Sequence, residues 1–492
     1  MPELSCDIFL VIFEELQDDP NSLYSCLFVN NLWCNLVVPI LWNYPQKFCS
    51  MRSRLKRLKL FNLILSHLPE SSRDLLKNEG INIIPETREN QLTFDYVKFL
   101  KFIDHNFIFN YGYYGIDLNN SQQNLLEQEV YKLLISKCSA IKHLNMDGFD
   151  YPIHEFEGAR TCLSNIKEFS CKSTDETSLM SKLIQTRCNY LEKLHIILQY
   201  DDEIILSQLI GMQNQIQYLK ISHKQQTPST QDYRNIVQAI ERIAPLIIHL
   251  DLLIHDGFPV SLIPKFNNLQ TLIILNNIHE SGNQKLSNEQ LKTAVFPELR
   301  ILSIKDISLS VVANIIQKTN QNLHEIQIQR YMIDYVNNNL NNSKEYIQAI
   351  YNYCPYIKNV TIFLNNENLD DFKKFLESCH YLEGVEIGII EYGDFDEAKF
   401  LDILFNSAPI NLDKLLIDNI FTLKSLEIFL GKWSNKNSLR PLHIYYDEMI
   451  DPFSYNPELT KFRESLRFKY SFVDYHDSGN FWPNPSKDMW DY

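Results

Sequence analysis

Two His-Glu pairs, His154-Glu155 and His279-Glu280, are the first candidates for a reactive centre. A helical metal site for hydrolysis needs a second histidine four residues after the first, so that both rings share one face, and neither pair has it. Cys188 and His195 could form a nucleophile and base. However, the cysteine is expected at a helix end and the histidine on the following strand, which separates them. The carboxylate runs Asp201-Asp202-Glu203 and Asp370-Asp371 fall where helices should begin, where acids favour the positive end of the helix dipole. No phosphate-cradling glycine loop, dinucleotide fingerprint or nucleophile elbow occurs. None of the ten cysteines forms a C-x-x-C pair, and no Cys/His cluster has zinc spacing. We therefore expect no catalytic residue, no metal and no cofactor.

The elements that would position any site come from the rest of the chain. Its 492 residues are 45% hydrophobic and 12% aromatic, as in a folded chain. The net charge of −15 argues against nucleic acid as partner, since that affinity rests on basic faces. No apolar run approaches 20 residues, so no membrane span is expected. The run Ile8 to Phe13 is too short, and too acidic at its flanks, for a signal peptide. The cysteines then read as reduced thiols in a cytoplasmic or nuclear protein.

From residue 141 one phrase recurs twelve times: apolar-x-x-apolar-x-apolar. It begins at Ile141, Ile166, Leu191, Ile216, Ile247, Leu269, Leu299, Leu323, Ile357, Leu382, Leu412 and Leu439. The mean interval is about 27 residues, and the alternation suits a strand buried on one side. Helical spacing fills the gaps, as in Leu126-Val130-Leu133, Ile236-Ile240-Ile243 and Phe372-Phe375-Leu376. Period and phrase together resemble leucine-rich repeats. That resemblance implies an α/β fold: a curved solenoid over residues 121–446, of about twelve repeats, with parallel strands on the concave face and helices on the convex face. Cys138, Cys188, Cys354 and Cys379 each stand three residues before a phrase, with Ala244 and Ala408 at or near the same place. This is similar to cysteine-containing repeats, in which a small apolar group closes the convex helix, so these thiols are expected in the core.

Residues 1–45 carry three short amphipathic stretches. Ile8, Ile12 and Leu16 mark one helix face, the Asp18–Ser22 break offers Asn21 or Ser22 as the next cap, and Val29 to Val37 makes a third helix. About 40 residues cannot bury much surface alone, so this aromatic-rich segment should meet another protein. Leu4, Ser5, Ile8, Ile12, Phe13, Leu16, Leu23, Val29, Trp33, Leu41 and Trp42 resemble the F-box, the adaptor-binding module of Skp–cullin–F-box ubiquitin ligases. Where that family usually has Leu-Pro, this chain has Leu4-Ser5. The resemblance implies that these residues dock a Skp-type adaptor, and a cullin through it. The solenoid would then hold an unidentified substrate protein, as a non-catalytic receptor subunit. The alternative is an interaction scaffold that recruits no cullin.

Residues 46–120 read as a helical connector. Its basic stretch 52–59 should be solvated, with Leu55, Leu58, Phe61 and Ile64 turned inward, and a helix is expected near Arg73–Lys77. Residues 447–492 read as a C-terminal cap and tail anchored by Phe462, Leu466 and Phe468. Third, fifth and seventh positions of each phrase should face off the concave side. This makes His143, His195, Tyr218, Lys220, His249, Gln327, His443 and Tyr445 the candidates for substrate binding.

Overall fold

The computed structural model describes residues 5–17, 19–45, 54–82, 85–86, 92–109, 118–145, 151–172, 181, 183, 188–198, 203–223, 234–254, 260–276, 291, 293–305, 307–329, 342–390, 395–417, 423–436, 443–446 and 471–474. Leu4, Asp147, Asp201, Asp202, His279, Glu280, Asp418 and the anchors Phe462, Leu466 and Phe468 lie outside the described residues. The chain divides into two compact units: Met1–Tyr218 with Arg234–Ile243 and Asp491–Tyr492, and Leu219–Tyr233 with Ala244–Trp490.

The first unit opens with three helices, α1 (Cys6–Glu15), α2 (Pro20–Cys26) and α3 (Asn31–Asn43). Asp19, rather than Asn21 or Ser22, caps α2. Its carboxylate accepts from Ser22 N at 3.1 Å, and Pro20 fills the first helical turn, where a missing N–H costs nothing. Asn30 caps α3 by accepting from Trp33 N at 2.8 Å. The third helix thus starts after the expected Val29 and continues through Pro39 to Asn43. Phe13, Leu23 and Val37 form the bundle core, with Phe9, Leu16, Cys26, Leu27, Trp33, Leu36, Ile40 and Leu41 packed around them.

Two helices follow, α4 (Arg54–Ser66) and α5 (Glu70–Asn78). Leu55 is exposed while Arg57 is buried, the reverse of the expectation for this stretch. Helix α5 begins at Glu70, three residues before the expected start. Arg73 on α5 turns back to close the end of α4. Its guanidinium donates to the carbonyls of Leu65, Ser66 and Leu68 at 2.8–3.2 Å, at and just past the helix end, where carbonyls lack a full set of helical donors.

Among the described residues fourteen strands carry the repeat: β1 (Phe102–Asp104), β2 (His143–Asn145), β3 (Glu168–Lys172), β4 (Lys193–Leu198), β5 (Tyr218–His223), β6 (His249–Ile254), β7 (Thr271–Asn276), β8 (Ile301–Lys305), β9 (Glu325–Gln329), β10 (Asn359–Leu364), β11 (Gly384–Ile389), β12 (Lys414–Ile417), β13 (His443–Tyr446) and β14 (Ser471–Asp474). From β2 to β12 each strand starts two residues after the first residue of its phrase; β13 starts four after. Strands β1 and β14 are additional to the twelve phrases. Within the first unit β1 to β4 pair in parallel, in chain order, third position against third position. Within the second unit β6 to β14 do the same. Such an arrangement, one strand per turn, is that of leucine-rich repeats. Fourth positions point inward and are fully or almost fully buried from Ile103 through Leu144, Phe169 and Leu194 in the first unit, and from Leu250 through Leu415 in the second.

Helices run between the strands. In the first unit these are α6 (His105–Phe109), α7 (Asn120–Lys137), α8 (Ala159–Cys162), α9 (Glu203–Gly211) and α10 (Arg234–Ile243). In the second they are α11 (Leu309–Gln317), α12 (Ser343–Tyr353), α13 (Leu369–Ser378), α14 (Glu397–Ser407) and α15 (Leu423–Lys436), each packed on the next. Asn119 and Gln122 form a reciprocal capping box at the start of α7. Cys138, Cys354, Cys379 and Ala408 are the C-caps of α7, α12, α13 and α14, as expected, and Cys138, Cys188, Cys354 and Cys379 are all buried. Burial pushes the Cys188 thiol up to about 11 and the Cys379 thiol up to about 12, so neither carries thiolate near neutral pH. Asp370 and Asp371 lie in the first turn of α13, where the dipole argument puts them.

Candidate interaction surfaces

The three-helix bundle sorts its apolar residues onto two sides. Phe13 and Leu23 are inside, and the Trp33 ring packs on Phe9 and Phe13 with centroids 5.4 and 5.1 Å away. Leu16 and Leu41 line the same core. Trp42 is half-buried against the Tyr96 ring, 4.6 Å between centroids. Of the adaptor candidates, Phe13, Leu16, Leu23, Trp33 and Leu41 therefore build the bundle core, and Trp42 packs outside it on Tyr96. The outer side keeps Ile8, Val11 (59% exposed) and Ile12 on α1, spaced at i, i+3 and i+4. It also keeps Tyr24 on α2, Phe28 (74% exposed) and Val29 in the α2–α3 loop, and Leu32 on α3. Tyr24 and Phe28 meet edge to face at 5.3 Å. Ser5 is the N-cap of α1, and its carbonyl accepts from Ile8 N at 3.1 Å. Of the adaptor candidates, Ile8, Ile12, Val29 and Ser5 are exposed. Phe28, one of the aromatics that made this segment a candidate for meeting another protein, extends the same kind of surface, as do Val11, Tyr24 and Leu32, of which Val11 follows from the spacing of Ile8 and Ile12.

Side chains on the third- and fifth-position face of the sheet are less solvated than their alternation implies. In the first unit the third-position row is Phe102, His143, Glu168, Lys193. The Phe102 ring stacks on His143 at 5.6 Å, and His143 Nδ1 lies 3.0 Å from Glu168 Oε2. Lys193 Nζ lies 2.9 Å from Glu168 Oε1. Burial alone would raise the Glu168 carboxyl, but the His143 hydrogen bond and the Lys193 charge outweigh it and hold Glu168 below its ordinary value. The fifth-position row pairs Asp104 with Asn145 at 3.1 Å and Ser170 with His195 at 3.0 Å. Tyr218 is 2% exposed, which removes it from the solvated surface. Cys188 Sγ points under the sheet towards Ile166 O while His195 is on the concave row, so the two do not form a nucleophile pair.

In the second unit Lys220 pairs with Asp251 across 3.2 Å. Asp251 is 2% exposed, and burial raises its carboxyl despite the nearby ammonium. His249 is half-buried. Gln327 accepts from Ser303 Oγ at 3.0 Å. Thr361 donates to Glu386 Oε2 at 3.0 Å and accepts from Ile328 N at 3.2 Å. His443 and Tyr445 occupy the third and fifth places on β13 by register, and their side chains lie outside the described residues.

His154 contacts its neighbour Glu155 at 3.8 Å in a short 3-10 turn. Among the described residues no cluster of His, Cys, Asp or Glu is placed to hold a metal, and no helix is long and apolar enough to cross a membrane. What these surfaces offer chemically is recognition: an exposed apolar face on one element, and cross-strand polar rows on another.

No protein-family model matches the chain, and no curated protein matches it. Among solved structures the chain is similar to the leucine-rich repeat-containing protein LegL7 from Legionella pneumophila, at 14% identity and a TM-score of 0.34, over 63% of this chain and 91% of that one.

Proposed function

We propose that the chain is a substrate-recognition subunit of a Skp–cullin–F-box ubiquitin ligase. The three-helix bundle docks a Skp-type adaptor, the adaptor brings a cullin, and the repeats hold a target protein. The observation that carries this reading is the outward apolar face of Ile8, Val11, Ile12, Tyr24, Phe28, Val29 and Leu32 on a bundle whose own core is already filled. Several exposed apolar side chains on one small element of filled core suit a protein-binding site. Its sequence resembles the adaptor-binding module. In this role the chain supplies proximity, and the ubiquitin chemistry belongs to partner subunits.

The test is capture from cell extract by the full-length chain and by the same chain carrying Val11→Asp with Phe28→Asp. Adaptor and cullin on the parent chain alone is the expected result. Adaptor without cullin would replace the ligase reading with the scaffold reading. No adaptor on a folded parent chain would overturn both uses of the bundle.

A further inference from the structure

The residues one place before β1 to β4 form a row of their own in the first unit: Lys101, Lys142, Lys167 and Glu192. Backbone bonds hold them side by side. Lys142 N donates to Lys101 O at 2.8 Å, Lys167 N to Lys142 O at 2.8 Å and Glu192 N to Lys167 O at 2.7 Å. Side chains in this row reach one another, since Lys167 and Glu192 form an ion pair. The two ends of the row differ. Lys167 is neutralised, whereas among the described residues Lys101 and Lys142 have no carboxylate in ion-pair contact. Like charges on adjacent strands repel. Lys101 is half-buried, and burial first and Lys142 second hold its ammonium below the ordinary value. Glu14 on α1 pulls the other way and is outweighed. In a chain of net charge −15 this is a spot of uncompensated positive charge.

Its place in the fold says what meets it. Lys101 N donates at 3.1 Å to the carbonyl of Asn43, the last residue of α3, so this end of the row abuts the three-helix bundle. Glu14, whose charge acts on Lys101, follows Val11 by three residues on α1 and so borders the exposed Ile8, Val11 and Ile12. A protein lying on that side of α1 needs only to extend past Glu14 to reach the two lysines.

We propose that Lys101 and Lys142 receive an acidic segment of the protein that docks on the outer face of the bundle. Ammonium groups on flexible stems are point charges that meet carboxylates in many orientations, so what they require is negative charge rather than one fixed shape. At the rim of an apolar contact such charges act chiefly on the rate of encounter and on its salt dependence. That the docked protein is a Skp-type adaptor rests on the receptor reading above; the acidic character of its contacting segment rests on the two lysines.

The experiment uses the full-length chain and a purified Skp-type adaptor, with association and dissociation followed at low and high salt. Lys101→Glu with Lys142→Glu should slow association about tenfold at low salt, change dissociation by less than about threefold and flatten the salt dependence. Lys101→Gln with Lys142→Gln, which adds no negative charge, should give a smaller change in the same direction, with the melting profile confirming fold. The control is Lys373→Glu with Lys374→Glu, exposed residues of α13 in the second unit, which alters net charge equally and should leave association within about twofold of the parent. Association unchanged in both Lys101/Lys142 variants, or slowed as much by the control, would overturn the proposal while binding by the parent chain upheld the receptor reading. No binding of adaptor by the folded parent chain would overturn both.

Discussion

Lys193 Nζ sits 2.9 Å from Glu168 Oε1 across β3 and β4, and the two side chains are both largely shielded from solvent. His143 grips the other oxygen of the same carboxylate. Glu168 is thus paired from both neighbouring strands and has its carboxyl held low by them, against the opposing effect of burial.

This predicts a loss at acid pH. A carboxyl depressed in the folded state contributes stability above its unfolded value of about 4.3 and loses it as pH falls through the folded value. Glu168→Gln should lower stability at pH 7 by about 3 kcal/mol, because it removes the buried carboxylate that both His143 and Lys193 contact. Melting curves from pH 3 to 7 should show wild type and variant converging at the acid end. A constant gap would exclude the linkage.

Asp251 predicts the opposite sign. Burial raises its carboxyl, and Lys220 does not fully offset this. A raised folded pKa gives stability that is full below the unfolded value, about 3.9, and lost as pH rises through the folded value. Asp251→Asn should therefore leave the melting temperature at pH 7 unchanged or raise it by about 2 °C, since Lys220 keeps access to water. A clear destabilisation at pH 7 would show that the ion pair outweighs the burial cost.

The N-terminal bundle separates folding from binding. Phe13→Ala should cost about 3–5 kcal/mol through the cavity it leaves. Phe28→Asp, on the exposed side, should stay within about 0.5 kcal/mol of wild type while abolishing adaptor capture. Chemical denaturation alongside capture assays checks both halves.

The thiols should react in two classes. Cys6 is exposed, whereas Cys162, Cys188, Cys354 and Cys379 are buried with their thiols pushed upward by that burial. Alkylation at pH 8 followed by mass spectrometry should modify Cys6 within minutes, and these four only in denaturant. Modification of Cys379 in native buffer would contradict the packing described.

The repeat was legible because packing dictates it. The fourth and sixth positions of each phrase must be apolar, and from β2 to β12 the phrase locates the strand to the residue. Strand β1 escaped because its sixth position is His105, a buried polar ring whose Nδ1 is 3.2 Å from the Tyr131 hydroxyl, so the apolar phrase is broken. The candidate surfaces were only half legible. Alternation says which side of a strand a residue takes, but not that in-register neighbours on adjacent strands cover one another, which is how Glu168 becomes buried between His143 and Lys193. In the bundle, helical spacing cannot by itself separate Trp33, turned inward onto Phe13, from Phe28, turned outward. The reach of Asp19 to Ser22 was hidden because Asp18, Asp19, Asn21 and Ser22 could each have served as a cap.

Thr361 gives the second unit a soft line. Backbone pairing of β9 with β10 covers Glu325–Ile326 and Asn359–Val360, after which the Thr361 hydroxyl stands in for the next carbonyl and receives the Ile328 amide. A stack of strands flexes where fewest backbone bonds cross, so bending of this unit concentrates at that seam. Glu325 and Asn359 flank it. Exchange of the Ile328 amide should therefore run ahead of amides between β10 and β11, where the register continues from Asn359–Gly384 to Leu364–Ile389.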